Sequence, residues 1–199
     1  MRICCNRRTS TLRVIAGQYR SRPLRSTRGM EIRPTADRLR ETLFNVLTAG
    51  NPAALEGSVW IDLYAGTGAV GIEALSRGAA QVYFVESSPV AVKVIRENLV
   101  SLQIVEGFEI VRNDALQVLR QVEAKEVTGD FVFLDPPYRM EQAYQNALKF
   151  LEKSALVKQT TVVIAEHEKR LDPGEEFGSL KRYRKLTQRD AALSFYRRA

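Results

Sequence analysis

The sequence contains few of the residues that cross-link small proteins or bind metals. Its 199 residues include two cysteines, Cys4 and Cys5, and one histidine, His167. Neighbouring cysteines rarely bond to each other, and the chain has no third thiol, so a disulfide framework is excluded. A structural zinc site needs about four clustered ligands. We therefore expect no metal and predict that His167 is structural.

Long apolar runs are also missing. No segment approaches the roughly 20 apolar residues of a membrane-spanning helix, and the first residues lack the apolar core of a secretory signal. The sequence therefore predicts a cytoplasmic protein that does not enter a membrane. Its length and its 45% hydrophobic content suit one main domain with one sizeable core, and we expect a monomer.

What the sequence has in excess is positive charge at both ends. Residues 1–40 contain eleven arginines and two acids, and residues 181–199 contain seven basic residues and one acid. The intervening residues 41–180 hold twelve basic and twenty acidic residues. Two basic ends on an acidic body predict contact with a polyanion. The guanidinium of arginine suits phosphate because it can bond in bidentate fashion.

Between the basic ends, apolar segments alternate with helical ones, which is typical of βαβ units and a mostly parallel sheet with helices on both faces. The predicted strands are 59–64, 81–86, 108–111, 130–135 and 161–166, with a closing antiparallel pair at 181–187 and 191–197. The predicted helices are 69–77, 89–102, 115–122 and 141–152. An amphipathic helix with Thr35 as its N-cap precedes them, and segments 12–16 and 20–25 are predicted to pair as a short basic hairpin.

A glycine-rich loop joins the first strand to its helix. Gly66, Gly68 and Gly71 spell G-x-G-x-x-G, and Glu86 lies twenty residues after Gly66, at the end of the next strand. This pattern predicts a nucleoside-containing cofactor, of the NAD or S-adenosylmethionine type, with its ribose on the acid. Asp62 favours S-adenosylmethionine, because a carboxylate attracts its ammonium and sulfonium groups and repels a pyrophosphate.

The candidate cofactor site extends to the ends of the first three strands. Asp114 follows the third strand, where it is either a contact to the adenine amino group or the N-cap of the next helix. The sequence alone leaves both interpretations open. The residues predicted to bind the cofactor are Asp62, Tyr64, Ala65, Gly66, Thr67, Gly68, Glu86, Ser87, Asp114 and Ala115.

The fourth strand ends in a proline-stiffened corner, Asp135, Pro136, Pro137 and Tyr138. The two prolines remove two backbone donors but keep their carbonyl acceptors. An exocyclic base amine is a poor nucleophile because its lone pair is delocalised. Asp135 and the Pro136 carbonyl can accept its two N–H groups and free the lone pair, while Tyr138 stacks on a base that has left its helix. The corner therefore predicts methylation of an amino group by positioning, without metal or covalent nucleophile.

Together these motifs resemble the RsmD family of class I Rossmann-like methyltransferases, which methylate guanine N2 in small-subunit (16S) rRNA. The resemblance covers nearly the whole chain. It rests on Arg-Val-Ile-Ala-Gly at 13–17, on Arg-Pro-Thr-Ala-Asp-Arg-Leu-Arg-Glu-Thr-Leu-Phe-Asn at 33–45, on residues 62–78 and on the corner at 135–138. It implies a seven-stranded sheet with a reversed last strand, S-adenosylmethionine as cofactor, and rRNA or an assembling small subunit as partner.

The resemblance also implies how the chain is divided and where it contacts its substrate. We expect a disordered lead at 1–11, a basic RNA-binding hairpin at 12–32 and a methyltransferase domain at 33–199. The segment at 33–38 is expected over the methionine end of the cofactor or over the target base. The residues assigned to substrate on this ground are Arg20, Arg22, Arg25, Arg33, Thr35, Asp37 and Arg38.

Three other functions fit parts of the pattern. A DNA adenine or cytosine amino-methyltransferase would share the chemistry, but 199 residues leave no room for a separate target-recognition region. An NAD-dependent oxidoreductase would share the glycine loop, and a non-enzymatic RNA-binding protein would share the basic ends. Aromatic residues outside the motifs are expected to pack in the fold; they are Trp60, Tyr144, Phe150, Tyr183, Phe195 and Tyr196.

Overall fold

The computed structural model describes residues 12–26, 34–137 and 140–199, with the backbone alone at 34–36. The lead at 1–11, Arg33 and Tyr138 therefore lie outside the described residues, as does the side chain of Thr35. The helices are α1 (Pro34–Thr48), α2 (Ala69–Ser76), α3 (Pro89–Ser101), α4 (Ala115–Ala124) and α5 (Glu141–Lys153). The strands are β1 (Val59–Leu63), β2 (Gln81–Val85), β3 (Phe108–Val111), β4 (Gly129–Leu134), β5 (Val157–Glu168), β6 (Glu176–Phe177), β7 (Leu180–Gln188) and β8 (Ala191–Arg198).

All the described strands form one sheet, in the order β3-β2-β1-β4-β5-β8-β7-β6. Strands β1 to β5 run parallel to one another. The last strand, β8, lies between β5 and β7 and is antiparallel to both. The mostly parallel sheet and the reversed last strand are therefore confirmed. The two-residue β6 stands beside the seven longer strands that were predicted.

Helices cover both faces of the sheet, and each face has its own apolar core. Along β1, Trp60 belongs to the core under α1, α2 and α3, whereas Ile61 and Leu63 belong to the core under α4 and α5. Trp60 is fully buried and stacks on Phe44 of α1 with ring centroids 5.3 Å apart, so its predicted packing is confirmed. Because successive side chains alternate across a sheet, Asp62 lies on the same face as Trp60.

Helix α1 begins two residues earlier than the sequence predicted. Its first residue is Pro34, whose fixed φ suits the first helical position. Thr35 is therefore the second residue of the helix, and its prediction as the N-cap was wrong. The apolar spacing that predicted the helix still holds, because Leu39 and Leu43 are buried in the core.

Residues 12–26 form a short antiparallel pair that lies against α2 and α3. The Val14 amide donates to the Arg22 carbonyl at 3.0 Å, and a single bridge joins the two arms, which confirms the predicted pairing. The chain reverses at Gly17, where φ is +81° and a Cβ would lie 1.8 Å from the carbonyl oxygen of Ser76. Only glycine fits this approach of the segment to the end of α2.

Buried polar side chains fasten this segment to the two helices. The Glu73 carboxylate of α2 accepts hydrogen bonds from the amides of Ile15 (2.7 Å) and Ala16 (2.9 Å). In α3, the side chain of Asn98 accepts from the Arg25 amide at 2.7 Å. Neither Glu73 nor Asn98 is accessible to solvent. The N-terminal segment is thus built into the fold through its backbone, which leaves its arginine side chains on the outside.

The single histidine and the aromatic residues of α5 have the structural roles that the sequence predicted. His167 is fully buried, and its two ring nitrogens form hydrogen bonds with the Ser194 hydroxyl (2.9 Å) and the Glu168 carbonyl (2.8 Å). Tyr144 and Phe150 pack with the core under α4 and α5. These contacts stabilise the sheet, and the ring of His167 lies beside that of Tyr144 of α5.

Among the aromatic residues of β7 and β8, one packs only in part. Phe195 and Tyr196 are fully buried, as predicted. Tyr183 packs against Phe195 with ring centroids 6.3 Å apart, but it is 49% exposed. The register shifts between Arg182 and Arg184, which makes Tyr183 the extra residue of a β-bulge. A bulge interrupts the alternation of a strand and turns a side chain away from its expected face.

Candidate active site

A buried carboxylate holds the loop after β1 in place. Asp62 is 1% exposed, and its Oδ2 accepts a hydrogen bond from the Gly71 amide at 3.0 Å. At Gly71, a Cβ would lie 2.4 Å from Cε1 of Phe84, so the third glycine of the motif lets α2 pack closely on β2. Burial raises the pKa of Asp62 to about 8, against the opposing effect of the Gly71 hydrogen bond. The charged form of Asp62 is therefore costly unless a cation lies near it.

The amides of the glycine loop already have acceptors within the chain. Glu86 Oε2 accepts from the Gly66 amide at 2.9 Å, and the Gly68 amide donates to the Ala65 carbonyl at 2.7 Å. A pyrophosphate bound at a helix N-terminus needs such amides for itself. Because the carboxylate of Asp62 already occupies the start of α2, the loop favours a ligand with positive charge over a dinucleotide.

Glu86 lies where the sequence predicted the ribose contact, just after β2. Its Oε1 accepts from the Ser88 amide at 2.8 Å, while Oε2 bonds the Gly66 amide. Backbone donors thus orient both carboxylate oxygens, and each oxygen keeps lone-pair capacity for a further donor such as a ribose hydroxyl. Ser87 is exposed beside it. The ribose contact itself stays a prediction.

Tyr64 and Asp114 flank the other side of the predicted cofactor site. Tyr64 has a φ of +66°, a conformation that costs a non-glycine residue about 1 kcal/mol or more and is often found at functional sites. Burial, and then the charge of Asp114, raises the pKa of Tyr64 to about 12. Asp114 caps α4, since its Oδ1 accepts from the Leu116 amide at 2.9 Å, which confirms the N-cap interpretation. Ala115 is buried in the first turn of α4, and the adenine contact stays a prediction.

A buried asparagine joins the glycine loop to the basic N-terminal segment. Asn98 Nδ2 donates to the carbonyls of Thr67 (2.9 Å) and Arg25 (3.1 Å), while Oδ1 accepts from the Arg25 amide. The residue thus fixes the predicted cofactor residue Thr67 relative to a predicted RNA-contacting residue. Sequence reasoning missed Asn98, because its role depends on tertiary contacts that an amphipathic helix pattern does not show.

Four neighbouring strands each present a carboxylate at this edge of the sheet. The strand order β2-β1-β4-β5 brings together Glu86, Asp62, Asp135 and Glu166; we call them the acid row. Burial raises the pKa of Asp135 to about 7. Beyond burial, the charges of Asp135 and Glu86 raise the pKa of Asp62, and those of Asp135 and Asp62 raise the pKa of Glu166. The groups are therefore close enough to repel, and their combined charge favours a cation beside them.

The corner after β4 stands level with the glycine loop after β1. Leu63 of β1 pairs with Leu134 of β4, so the corner and the loop both begin at the next residue of adjacent strands. Pro136 is buried and Pro137 is exposed. The structure thus brings the two predicted motifs to one place, while the stacking role of Tyr138 stays a prediction.

Arg40 of α1 is a buried cation near the acid row that sequence reasoning missed. It is 5% exposed, donates to Asp37 Oδ1 at 3.1 Å and to the Arg13 carbonyl, and lies 3.8 Å from the Glu73 carboxylate. Burial lowers its pKa, while the charges of Glu73, Asp37 and Glu166 raise it. The predicted substrate residue Asp37 is thus paired with Arg40. A glutamate inside the otherwise apolar α2 was the sequence signal that could have revealed this network.

The exposed arginines of the N-terminal part are available to a polyanion. Arg25 pairs with Glu97 at 2.8 Å, and Arg22 donates to the Ser101 carbonyl at 2.9 Å. Exposed pairs of this kind contribute little, so a phosphate can replace them. The exposed arginines that were predicted to contact substrate are Arg20, Arg22, Arg25 and Arg38.

The cations of the C-terminal end are mostly occupied within the fold. Arg182 and Lys185 both pair with Asp172, at 2.6 Å and 2.7 Å. Arg198 donates to the carbonyl of Glu152, in the last turn of α5, at 2.9 Å and to that of Ser154, just after the helix, at 2.8 Å. The charge count at this end therefore overstates what is free to bind RNA, and the N-terminal segment is the better candidate.

A separate cleft of about 490 Å³ lies at the opposite edge of the sheet, around the beginnings of β1, β4 and β5. It contains none of the residues predicted to bind cofactor or base, so it is distinct from the candidate active site.

Among the described residues, no group of three or more histidine, cysteine, aspartate or glutamate side chains is arranged to hold a metal ion. No helix in the described part of the chain is both long and apolar enough to cross a bilayer.

Comparison with known proteins identifies the family. A profile of the family described as conserved hypothetical protein 95 matches residues 12–197. The chain belongs to this family. It is the RsmD family that the sequence motifs indicated, since several relatives are ribosomal RNA small subunit methyltransferases D.

Relatives and solved structures agree with this membership. YlbH of Bacillus subtilis (strain 168), a candidate rRNA methyltransferase, is 32% identical over 94% of this chain and 99% of its own. The ribosomal RNA small subunit methyltransferase D of Haemophilus influenzae is 35% identical over 79% of each chain. The structure of yhhF from Escherichia coli, a candidate methyltransferase, is 30% identical with a TM-score of 0.79, covering 94% of this chain and 98% of that one.

Proposed function

We propose that this RsmD-family chain transfers the methyl group of S-adenosylmethionine to the exocyclic N2 amine of a guanine in small-subunit rRNA. Its family membership supports the coarser part: the chain is an rRNA methyltransferase that uses S-adenosylmethionine. The guanine N2 specificity is the finer part of the proposal. The observation that supports transfer to an amine at this site is the register that sets the Asp135 corner level with the loop after β1.

The residues around the loop fit S-adenosylmethionine. When bound, this cofactor supplies a methyl group activated by a sulfonium. The acid row offers charge of the opposite sign, and Asp62 occupies the anion position at the start of α2. Glu86 and Asp114 keep acceptor capacity for the ribose and the adenine amino group. We assign the methionine end to the loop at 62–68 and the nucleoside to the ends of β2 and β3.

The corner prepares the amine. The Asp135 carboxylate and the Pro136 carbonyl accept the two N–H groups, which holds the nitrogen towards tetrahedral geometry. Alignment of the amine with the methyl then supplies much of the rate by positioning. After transfer the substituted amine is strongly acidic. Asp135, whose pKa burial raises to about 7, can take up its proton near neutral pH.

A labelled-methyl assay tests this function. The purified chain is incubated with labelled S-adenosylmethionine and, in parallel, with 16S rRNA, assembled small subunits and duplex DNA. Digestion to nucleosides should show the label in N2-methylguanosine from rRNA. Label in DNA alone, or in another nucleoside, would contradict the proposal. Calorimetric titration should show binding of S-adenosylmethionine and none of NAD.

The RNA-contacting segment is tested by its salt dependence. Replacing Arg20, Arg22 and Arg25 with alanine should weaken rRNA binding and reduce the slope of log affinity against log salt by about 2 to 3, since each lost phosphate contact removes about 0.7 to 0.9. The matched control replaces Lys181, Arg184 and Arg189, which are exposed, and removes the same charge from the C-terminal end. An equal change of slope in both variants would show that total charge, and not this segment, binds RNA.

A further inference from the structure

One member of the acid row has no part in the function described so far. Glu166 is the next residue of β5 after Ala165, which pairs with Leu134 of β4. Glu166 and Asp135 are therefore neighbours across two parallel strands. Ile164 and Phe133, two residues back on each strand, both belong to the core under α1. Because side chains alternate along a strand, both carboxylates lie on the face of the sheet that carries the candidate site.

The surroundings of Glu166 fix its position but leave its carboxylate open. Its backbone carbonyl accepts from the Tyr144 hydroxyl at 2.7 Å, which ties the end of β5 to α5. Within residues 12–26, 34–137 and 140–199, the carboxylate forms no hydrogen bond and no ion pair. It is only partly buried. Nearby, Arg40 is 5% exposed and its Nε has no hydrogen-bond partner among the same residues.

The order of the strands sets the position of this carboxylate relative to the loop after β1 and to Asp135. The cofactor loop follows β1, Asp135 follows β4, and Glu166 follows β5, so the three stand in sequence across the sheet. A base whose amine is held at Asp135 can extend towards β5, on the side away from the loop after β1. The group next to N2 on the Watson–Crick edge of guanine is N1–H, a second donor. Adenine presents an unprotonated acceptor at N1, and cytosine does so at N3.

We infer that the Glu166 carboxylate accepts the N1–H of the target guanine and so selects guanine over the other amino-bearing bases. This inference rests on the proposed function. With Asp135 on N2–H and Glu166 on N1–H, the two carboxylates match the adjacent donors that guanine has and adenine lacks. Burial, and then the charge of Asp135, raises the pKa of Glu166 well above its usual range, and the charge of Arg40 opposes only part of that rise. Protonated or ionised, the carboxyl group keeps an oxygen that can accept the N1–H.

The test uses a base that keeps the amine and loses the second donor. 2-Aminopurine has the 2-amino group but no N1–H. Wild type should methylate rRNA with guanine at the target position much better than rRNA with 2-aminopurine there. A hydrogen bond to a charged group implies a loss of about 10-fold or more when it is removed. Glu166→Ala should lower kcat/KM for guanine by about 10-fold to 100-fold, and Glu166→Gln, which keeps an oxygen acceptor, should lower it less. Neither substitution should lower kcat/KM for 2-aminopurine, which has no N1–H to lose.

Controls separate base selection from damage to the fold. Glu168→Gln changes an exposed glutamate two residues further along β5 and should alter neither rate. Calorimetry should give the same S-adenosylmethionine affinity for the Glu166 variants and the wild type. An equal loss on guanine and 2-aminopurine, or an unchanged preference in the variants, would overturn the role of Glu166 while leaving the proposed function intact. Failure of the wild type to form N2-methylguanosine would overturn both.

Discussion

Acidic residues occur in two contrasting settings in this molecule. In the acid row, Asp62 and Asp135 are largely enclosed, and burial raises the pKa of Asp62 to about 8 and that of Asp135 to about 7. Beside β7, Asp172 is 45% exposed and pairs with Arg182 and Lys185. Burial opposes its charge, but hydrogen bonds from both cations outweigh that effect and hold the pKa of Asp172 well below its usual range.

The difference separates a site that is kept ready for a ligand from a cluster that stabilises the fold. Unpaired carboxylates at the carboxyl edge of the sheet destabilise the free protein and attract a cation. The Asp172 cluster has its partners within the chain and fastens the reversed strand pair. Buried carboxylates with raised pKa values, like those of the acid row, are typical of functional sites. Four measurements can sharpen or break this contrast.

The largest effect is expected at the corner. Asp135→Ala should lower turnover on rRNA by about 10³-fold, since it removes an acceptor that positions the amine and takes up its proton. The affinity for S-adenosylmethionine should stay within about 3-fold, because the cofactor loop belongs to β1. Single-turnover kinetics and calorimetry measure the two quantities. Unchanged turnover would contradict the role of the corner.

Substitutions in the two settings should change the free energy of unfolding in opposite directions. At pH 8, Asp135→Asn should raise the free energy of unfolding by about 1 kcal/mol, because it removes a buried charge that has no ion-pair partner among the residues that the structure describes. Arg182→Ala should lower it by about 1 to 2 kcal/mol, because Arg182 is 8% exposed and joins Asp172 to Glu175. Urea unfolding measures both. Loss of stability in both variants would show that the acid row also stabilises the fold.

Ligand affinity should depend on pH in a way that follows from the acid row. As the pH rises from about 6 to 8.5, Asp135 and then Asp62 ionise. The preference for S-adenosylmethionine over S-adenosylhomocysteine, which lacks the sulfonium charge, should therefore increase by about 5-fold to 10-fold. Using the ratio cancels the titration of the amino group that both ligands share. Calorimetry across this range gives the ratio, and a ratio independent of pH would show that the row does not interact with the sulfonium.

The smallest effect concerns Asp172 in acid. Because its pKa is lower in the folded chain, its contribution to stability is complete above the unfolded pKa of about 3.9 and disappears as the pH falls towards the folded value. Solvent screens this half-exposed group, so the contribution is under about 1 kcal/mol. Unfolding curves between pH 5 and 2 should fall less steeply for Asp172→Asn than for wild type. Parallel curves would show that the pairing contributes nothing.

Much of the site could be predicted because its motifs are local. Each motif can be recognised from a few neighbouring residues: the glycines at 66, 68 and 71, and the corner at 135–138. The Asp114 N-cap was left as one of two interpretations, and the structure confirmed it. Arg40 and Asn98 could not be found in this way, because each contacts segments far away in the sequence. Tyr183 packs only in part as predicted, because a single-residue bulge shifts the alternation of side chains in β7 on which that prediction depended.

The sequence by itself determined the order of elements, the cofactor loop, the corner and the concentration of arginine at the ends. The tertiary structure decided which carboxylates stand next to one another, which cations are already paired, and where β8 enters the sheet. The physical reason is that glycine, proline and apolar periodicity act through the local backbone. Strand order and register arise only when distant segments bury their apolar faces together, and the placing of Glu166 beside Asp135 depends on that assembly.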